Sequence, residues 1–119
     1  MKRFDVTQLQ MLPLAQRKHK LRIEDIALSL DSTVPEPSAP QAEQIERCTE
    51  HIRSARANAR PVILTFGAHL IKNGLGPLAA RLVEAGWITH LATNGAGSIH
   101  DWEFAFIGRS TEDVRANVA

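Results

Sequence analysis

Between Pro61 and Gly108 the chain reads PVILTFGAHLIKNGLGPLAARLVEAGWITHLATNGAGSIHDWEFAFIG, short apolar runs and helical patterns alternating across glycine breaks. Val62–Phe66 is apolar on both faces, the pattern of an interior parallel strand, and it breaks at Gly67. Pro77 suits a first helical turn, Leu78, Leu82 and Ala85 continue the helical spacing from Gly76, and Gly86 suits the position just past its end. A second apolar run, Ile88–Thr93, gives way to the small-residue turn Asn94–Ser98, after which a helix is expected from about Ile99. The order strand, helix, strand, helix places two turns at the strand ends where α/β sheets bind ligands. The expected fold class is therefore α/β, a Rossmann-like parallel sheet that is incomplete in this chain.

That incompleteness follows from counting elements. Only two convincing strands are visible, whereas parallel sheets are normally larger and covered on both faces. The sequence also stops at Val118–Ala119 inside a helical pattern. We expect either an N-terminal piece of a longer protein or a chain whose sheet is completed by a partner, a two-stranded domain being the marginal alternative.

The remainder divides at residue 40. Residues 1–40 form an arm and a Pro-rich linker, and residues 41–119 a leading helix with the βαβα unit. In the arm, Pro13 interrupts Met11–Leu14, Gln16–Lys20 is a basic cluster read as a solvated surface, and Ile23, Ile26 and Leu30 suggest a short helix after Arg22. Asp31–Pro40 carries Pro35, Pro37 and Pro40 and reads as an extended linker. Gln41–Asn58 has Ile45, Cys48, Ile52 and Ala55 on one stripe, so Cys48 is expected as a small core residue. Near the other end, Ser110 with Asp113 three residues on reads as a capping box that opens a last helix.

Composition excludes several functions. Fourteen basic and 13 acidic residues leave a formal charge of +1, which supplies no electrostatic case for nucleic acid or an acidic membrane. One cysteine permits no internal disulfide and suits a reducing cytoplasm, and Lys2–Arg3 is followed by Asp5 rather than by an apolar export segment. Apolar runs are far shorter than a membrane span. His69, His90, His100 and Asp101 match no familiar metal-ligand spacing, so no metal is expected.

The turn Thr93–Asn94–Gly95–Ala96–Gly97–Ser98 has two readings. Its small residues admit a phosphate to the backbone, with the next helix pointing free N–H groups into the same space, or they form a plain strand-to-helix turn. The six-residue dinucleotide glycine fingerprint is absent. Asp101 could likewise belong to such a site or only favour the helix start. His100 beside it could serve as an acid or base.

The run from His69 to Asp101, HLIKNGLGPLAARLVEAGWITHLATNGAGSIHD, resembles deoxyhypusine synthase, whose Asn-Leu-Ile-x-x-Gly segment, helix, strand and Thr-x-Ala-Gly-Gly turn it parallels. The resemblance covers fewer than half of the 119 residues. It implies a Rossmann-like NAD-binding fold, a homo-oligomer, and transfer of an aminobutyl group from spermidine to a protein lysine. By the same resemblance Gly67, His69 and Lys72 would flank the cofactor, His69 standing where the family has a cofactor-contacting Asn and Lys72 where it has a Ser. Thr93, Asn94, Gly95, Ala96 and Gly97 fall on the nucleotide-binding turn, and Asp101 on an aspartate. Ile99 and His100 replace an acidic pair that would hold a polyamine's charge, and the family's catalytic lysine has no counterpart among these residues. Asn94-Gly-Ala-x-x-x-His100-Asp101-x-Glu103 is also similar to the NAD-binding part of arginine dihydrolase/ornithine cyclodeaminase proteins, which keep the His-Asp pair. Together the resemblances imply an NAD-dependent cytoplasmic enzyme acting on an amine or amino acid by hydride chemistry, with His100 and Asp101 catalytic. A non-catalytic nucleotide-binding or oligomerisation module is the other class.

Overall fold

A computed structural model describes residues 5–8 and 13–118 of the chain. The features read at Lys2–Arg3, at Met11–Leu12 and at Ala119 lie outside the described residues.

The central alternation forms with one helix more than the sequence suggests, and its first apolar run is not an interior strand, Ile63 being 60% exposed. Strand β2 (Ile63–Phe66) is followed by α3 (Ala68–Lys72) and α4 (Gly76–Glu84), then β3 (His90–Thr93) and α5 (Gly95–Ile107). β2 and β3 pair in parallel, in the register Ile63 with His90 through Phe66 with Thr93. Gly86 takes φ 71° after α4, and Gly108 takes φ 67° after α5, the left-handed residues that let each helix stop. The chain is thus a mixed helix and strand protein with one parallel pair. The buried apolar side chains among the described residues are Ile71, Ala79, Ile88 and Phe104, contributed by α3, α4, the approach to β3, and α5.

Several expectations change. The arm is not merely irregular: β1 (His19–Arg22) pairs antiparallel with β4 (Arg109–Glu112), so a second two-stranded sheet joins the two ends of the chain. The basic cluster is therefore only half solvated, because strand alternation turns Arg17 and His19 inward while Lys18 and Lys20 stay exposed. Ser110 opens no helix. It is wholly buried in β4, and Asp113 instead caps α6 (Val114–Val118), accepting from the Ala116 N–H at 3.2 Å. Helix α5 starts at Gly95 rather than near Ile99, since Asn94 is its N-cap and accepts from the Gly97 N–H at 3.0 Å.

Helix α1 (Ile23–Ile26) is one turn long, as the Ile spacing suggests. Helix α2 (Ala39–Ala57) begins two residues before Gln41, with Pro40 tolerated in its first turn and Gln41 Oε1 accepting from the Ser38 N–H at 2.9 Å. Its supposed core stripe is not buried. Cys48 is exposed and Ile45 is largely so, because α2 reaches the rest of the chain mainly through its C-terminal half. There Arg56 stacks over Trp87 with its guanidinium carbon 4.1 Å from the ring centre.

Candidate functional site

The two strand ends meet. A Cβ on Gly67 would lie 3.5 Å from Asn94 Nδ2, and one on Gly97 would lie 3.5 Å from the Gly67 carbonyl carbon and 2.1 Å from Thr93 Oγ1. Thr93 Oγ1 in turn donates to the Phe66 carbonyl at 2.9 Å, tying the last residue of β3 to that of β2. Gly67, Thr93, Asn94, Gly95, Ala96 and Gly97 therefore share one end of the parallel pair. Gly97 is buried where backbone crosses backbone, whereas a methyl group on Gly95 would meet nothing within 4 Å. As the first residues of α5, Gly95 and Ala96 have N–H groups without intrahelical acceptors.

His69 and Lys72 lie on α3, which packs against α5; His69 is exposed and Lys72 half-buried. His90, at the start of β3, is exposed and its Nδ1 lies 2.8 Å from the Thr89 hydroxyl. His100 lies on the inner face of α5, one turn, or roughly 5 Å, beyond Gly97. Asp101 is rotated away by about 100°. It is exposed and lines a separate groove of about 280 Å³ with Ile23, Pro77 and Phe104. Among the described residues His100 and Asp101 share no hydrogen bond; His100 is engaged by Ser110 and Glu103.

That engagement is a polar cluster between α5 and the second sheet. His100 Nδ1 lies 2.6 Å from Ser110 Oγ, and the Ser110 hydroxyl donates to Glu103 Oε2 at 2.6 Å. Arg17 closes the other side, donating from Nη2 to Glu103 Oε1 and from Nε to His19 Nε2 at 2.9 Å, with Glu112 Oε2 3.9 Å from its Nη1. Both Glu103 oxygens are thus occupied although the residue is buried. Burial pushes its carboxyl up, but the hydrogen bonds from Ser110 and Arg17 and the charges of Arg17 and His100 outweigh it, and the net direction is below the ordinary 4.5. Among the described residues buried His19 Nδ1 and Thr111 Oγ1 have no hydrogen-bond partner, and Thr111 holds a left-handed φ of 60°.

Arg17, Glu103 and Ser110 were not singled out for this role by the sequence. The only signals were the helical i, i+3 spacing of His100 and Glu103 and the alternation of Arg17 with His19. The serine had none, because its capping signature with Asp113 points elsewhere. Among the described residues no three His, Cys, Asp or Glu side chains converge as a metal ion would require, and no described helix is long and apolar enough to cross a membrane. No protein-family model matches the sequence, and comparison with curated proteins and with solved structures finds no match to it.

Proposed function

We propose that the chain is an NAD-binding α/β unit, similar to deoxyhypusine synthase, that serves an enzyme acting on an amine or amino acid by hydride chemistry. The observation that carries this reading is the closure of Gly67, Asn94 and Gly97 at one end of a parallel strand pair. Parallel α/β sheets bind nucleotides at that end, with a pyrophosphate taken by free helix N–H groups. Gly95 and Ala96 would receive the phosphate, and His69 and Lys72 would flank it from α3. When bound, the nicotinamide would supply the redox step, and the protein placement and charge. An ornithine cyclodeaminase-type substrate suits the same unit, as does a module that binds the nucleotide without turnover.

Gly95 provides the test. A side chain there meets open space, and an acidic residue in the first helical turn favours the helix dipole while repelling a phosphate. We expect calorimetric titration to show NAD binding to the wild-type chain, and Gly95→Glu to lose that binding while melting at or above the wild-type temperature. Absence of heat with NAD and NADH for the folded wild-type chain would sink the reading.

A second reading, assembly into a homo-oligomer, rests on a separate observation. Ile99, Trp102 and Phe106 form an exposed apolar stripe along α5, with the two aromatic rings stacked 5.0 Å apart. The chain exposes 9696 Å², whereas a compact monomer of this size exposes about 6,400 Å². That excess, about 3,300 Å² per chain, is spread along an elongated shape with extents of 58 × 29 × 29 Å, and the stripe is one part of it. A second copy covering this stripe accounts for apolar side chains that a monomer leaves in water.

A further inference from the structure

We propose that Ser110, backed by Glu103 and Arg17, is a positioning residue that holds the proton of neutral His100 on Nδ1 and leaves Nε2 as a bare proton acceptor. This rests on the nucleotide reading only for what His100 would act upon. The proton assignment itself follows from the cluster.

Few protons are shared among these groups. Glu103 is ionised at neutral pH, so both of its oxygens only accept. Ser110 Oγ has one proton and stands 2.6 Å from Glu103 Oε2 and 2.6 Å from His100 Nδ1. Were that proton directed at the imidazole, two oxygens bearing only lone pairs would face each other at 2.6 Å. The serine therefore donates to Glu103, and its lone pair is left for His100 Nδ1, which must carry a hydrogen. Glu103 Oε2 lies 3.4 Å from the same nitrogen and reinforces the choice. Arg17 holds the carboxylate in place through its other oxygen, and Ser110 is wholly buried, so water does not compete for the hydroxyl.

Nε2 has no hydrogen-bond partner among the described residues, and the His100 side chain is 20% exposed. It stands one turn along α5 from Gly97. A ligand seated at the strand ends and bearing an N–H or O–H group could pass its proton to Nε2. The resulting imidazolium keeps its Nδ1–H on Ser110 and faces the Glu103 carboxylate, so no group has to move to stabilise the new charge. Among the described residues, the charged and titratable groups around the ring are Glu103 on the same helix and, beyond Ser110, Arg17 just before β1, His19 on β1 and Glu112 on β4.

Long-range ¹H–¹⁵N correlation spectra of the histidine rings test this in the ligand-free full chain. A free imidazole in water favours the Nε2–H form, so the expected Nδ1–H pattern for neutral His100 is diagnostic. Ser110→Ala should raise the share of the Nε2–H form, since Glu103 Oε2 at 3.4 Å is the weaker acceptor that remains, and Ser110→Thr, which keeps the hydroxyl, should preserve the wild-type pattern. An Nε2–H pattern in the wild-type protein overturns the proposal, and that measurement stands even where a variant fails to fold. Because no nucleotide is present, its failure leaves NAD binding untouched, and loss of NAD binding leaves the tautomer assignment intact.

Discussion

Gly97 and Thr93 are packed so closely that a methyl group on the glycine would sit 2.1 Å from the threonine hydroxyl. That hydroxyl is already committed to the Phe66 carbonyl, so it cannot turn aside freely. Gly97→Ala should force it off and cost about 1 kcal/mol, after the gain in helix propensity is set against the lost bond and the displaced rotamer. On a Thr93→Ala background the same change should be neutral or stabilising. Urea unfolding of the four proteins measures the coupling, and strict additivity would contradict the described contact.

Backbone conformation separates two other positions. Gly74 holds φ 78°, and a methyl there would fall 1.8 Å from the Ile26 carbonyl oxygen, a backbone atom that cannot yield cheaply. Gly74→Ala should cost more than about 3 kcal/mol, combining left-handed strain with the clash. Ala59 is the reverse case, an alanine at φ 52° just past the end of α2. Ala59→Gly should stabilise by about 1 kcal/mol, because it relieves the same kind of strain. Thermal melts of both variants give the comparison, and a destabilised Ala59→Gly would count against the conformation described.

Glu103 makes stability depend on acid. Its folded-state value lies below the ordinary 4.5, so the folded chain takes up this proton less readily than the unfolded chain. The stabilisation is whole above that ordinary value and is lost as pH falls through the lowered one. Glu103→Gln should flatten this part of the pH profile in urea titrations. The slope should not vanish, since exposed Asp5, lowered by the Thr7 hydroxyl, and exposed Glu24, lowered by its own backbone N–H, remain. An unchanged slope would place the acid sensitivity elsewhere.

Arg17→Met should be costlier than its partial exposure suggests, about 2 kcal/mol, because Glu103 would remain buried with one oxygen unpaired. The double variant Arg17→Met/Glu103→Gln should recover part of that loss. Denaturation midpoints decide it, and equal losses in the single and double variants would rule out the pair as the cause.

Trp102→Glu together with Phe106→Lys tests the exposed stripe. We expect the wild-type chain to sediment as an oligomer and the double variant as a folded monomer. A wild-type chain that stays monomeric at every concentration tested would remove the second copy from consideration.

What could be read in the sequence divides along physical lines. β2 is visible because Val62, Leu64 and Phe66 are apolar and the run ends at a glycine, and α4 is visible because its leucines keep helical spacing up to Gly86. β1 and β4 read HKLR and RSTE, four polar-rich residues each, whose inward positions hold His19 and Ser110 beside a single aliphatic side chain, Leu21. A period-two apolar pattern cannot reveal a strand that buries polar groups. The start of α5 was displaced for a different reason. Gly95 and Gly97 are poor helix formers, and only the Asn94 cap and the close approach to Gly67 and Thr93 explain why the helix begins among them. Within the candidate site, the turn Thr93–Gly97 could be placed from its residue types, whereas the alliance of Arg17, Glu103 and Ser110 with His100 depends on a pairing between distant segments that no local window contains.

That pairing governs when the protein can finish folding. His19 must wait for Glu112, about ninety residues later, before either finds its neighbour, and closing so long a loop is slow relative to local helix growth. On a ribosome adding roughly 5–20 residues per second, the segment around Arg17 would spend several seconds without the acceptors it later holds. The strand pair near Gly67 and Thr93 can assemble in that interval, so the histidine would acquire its fixed proton only in the closing step of maturation.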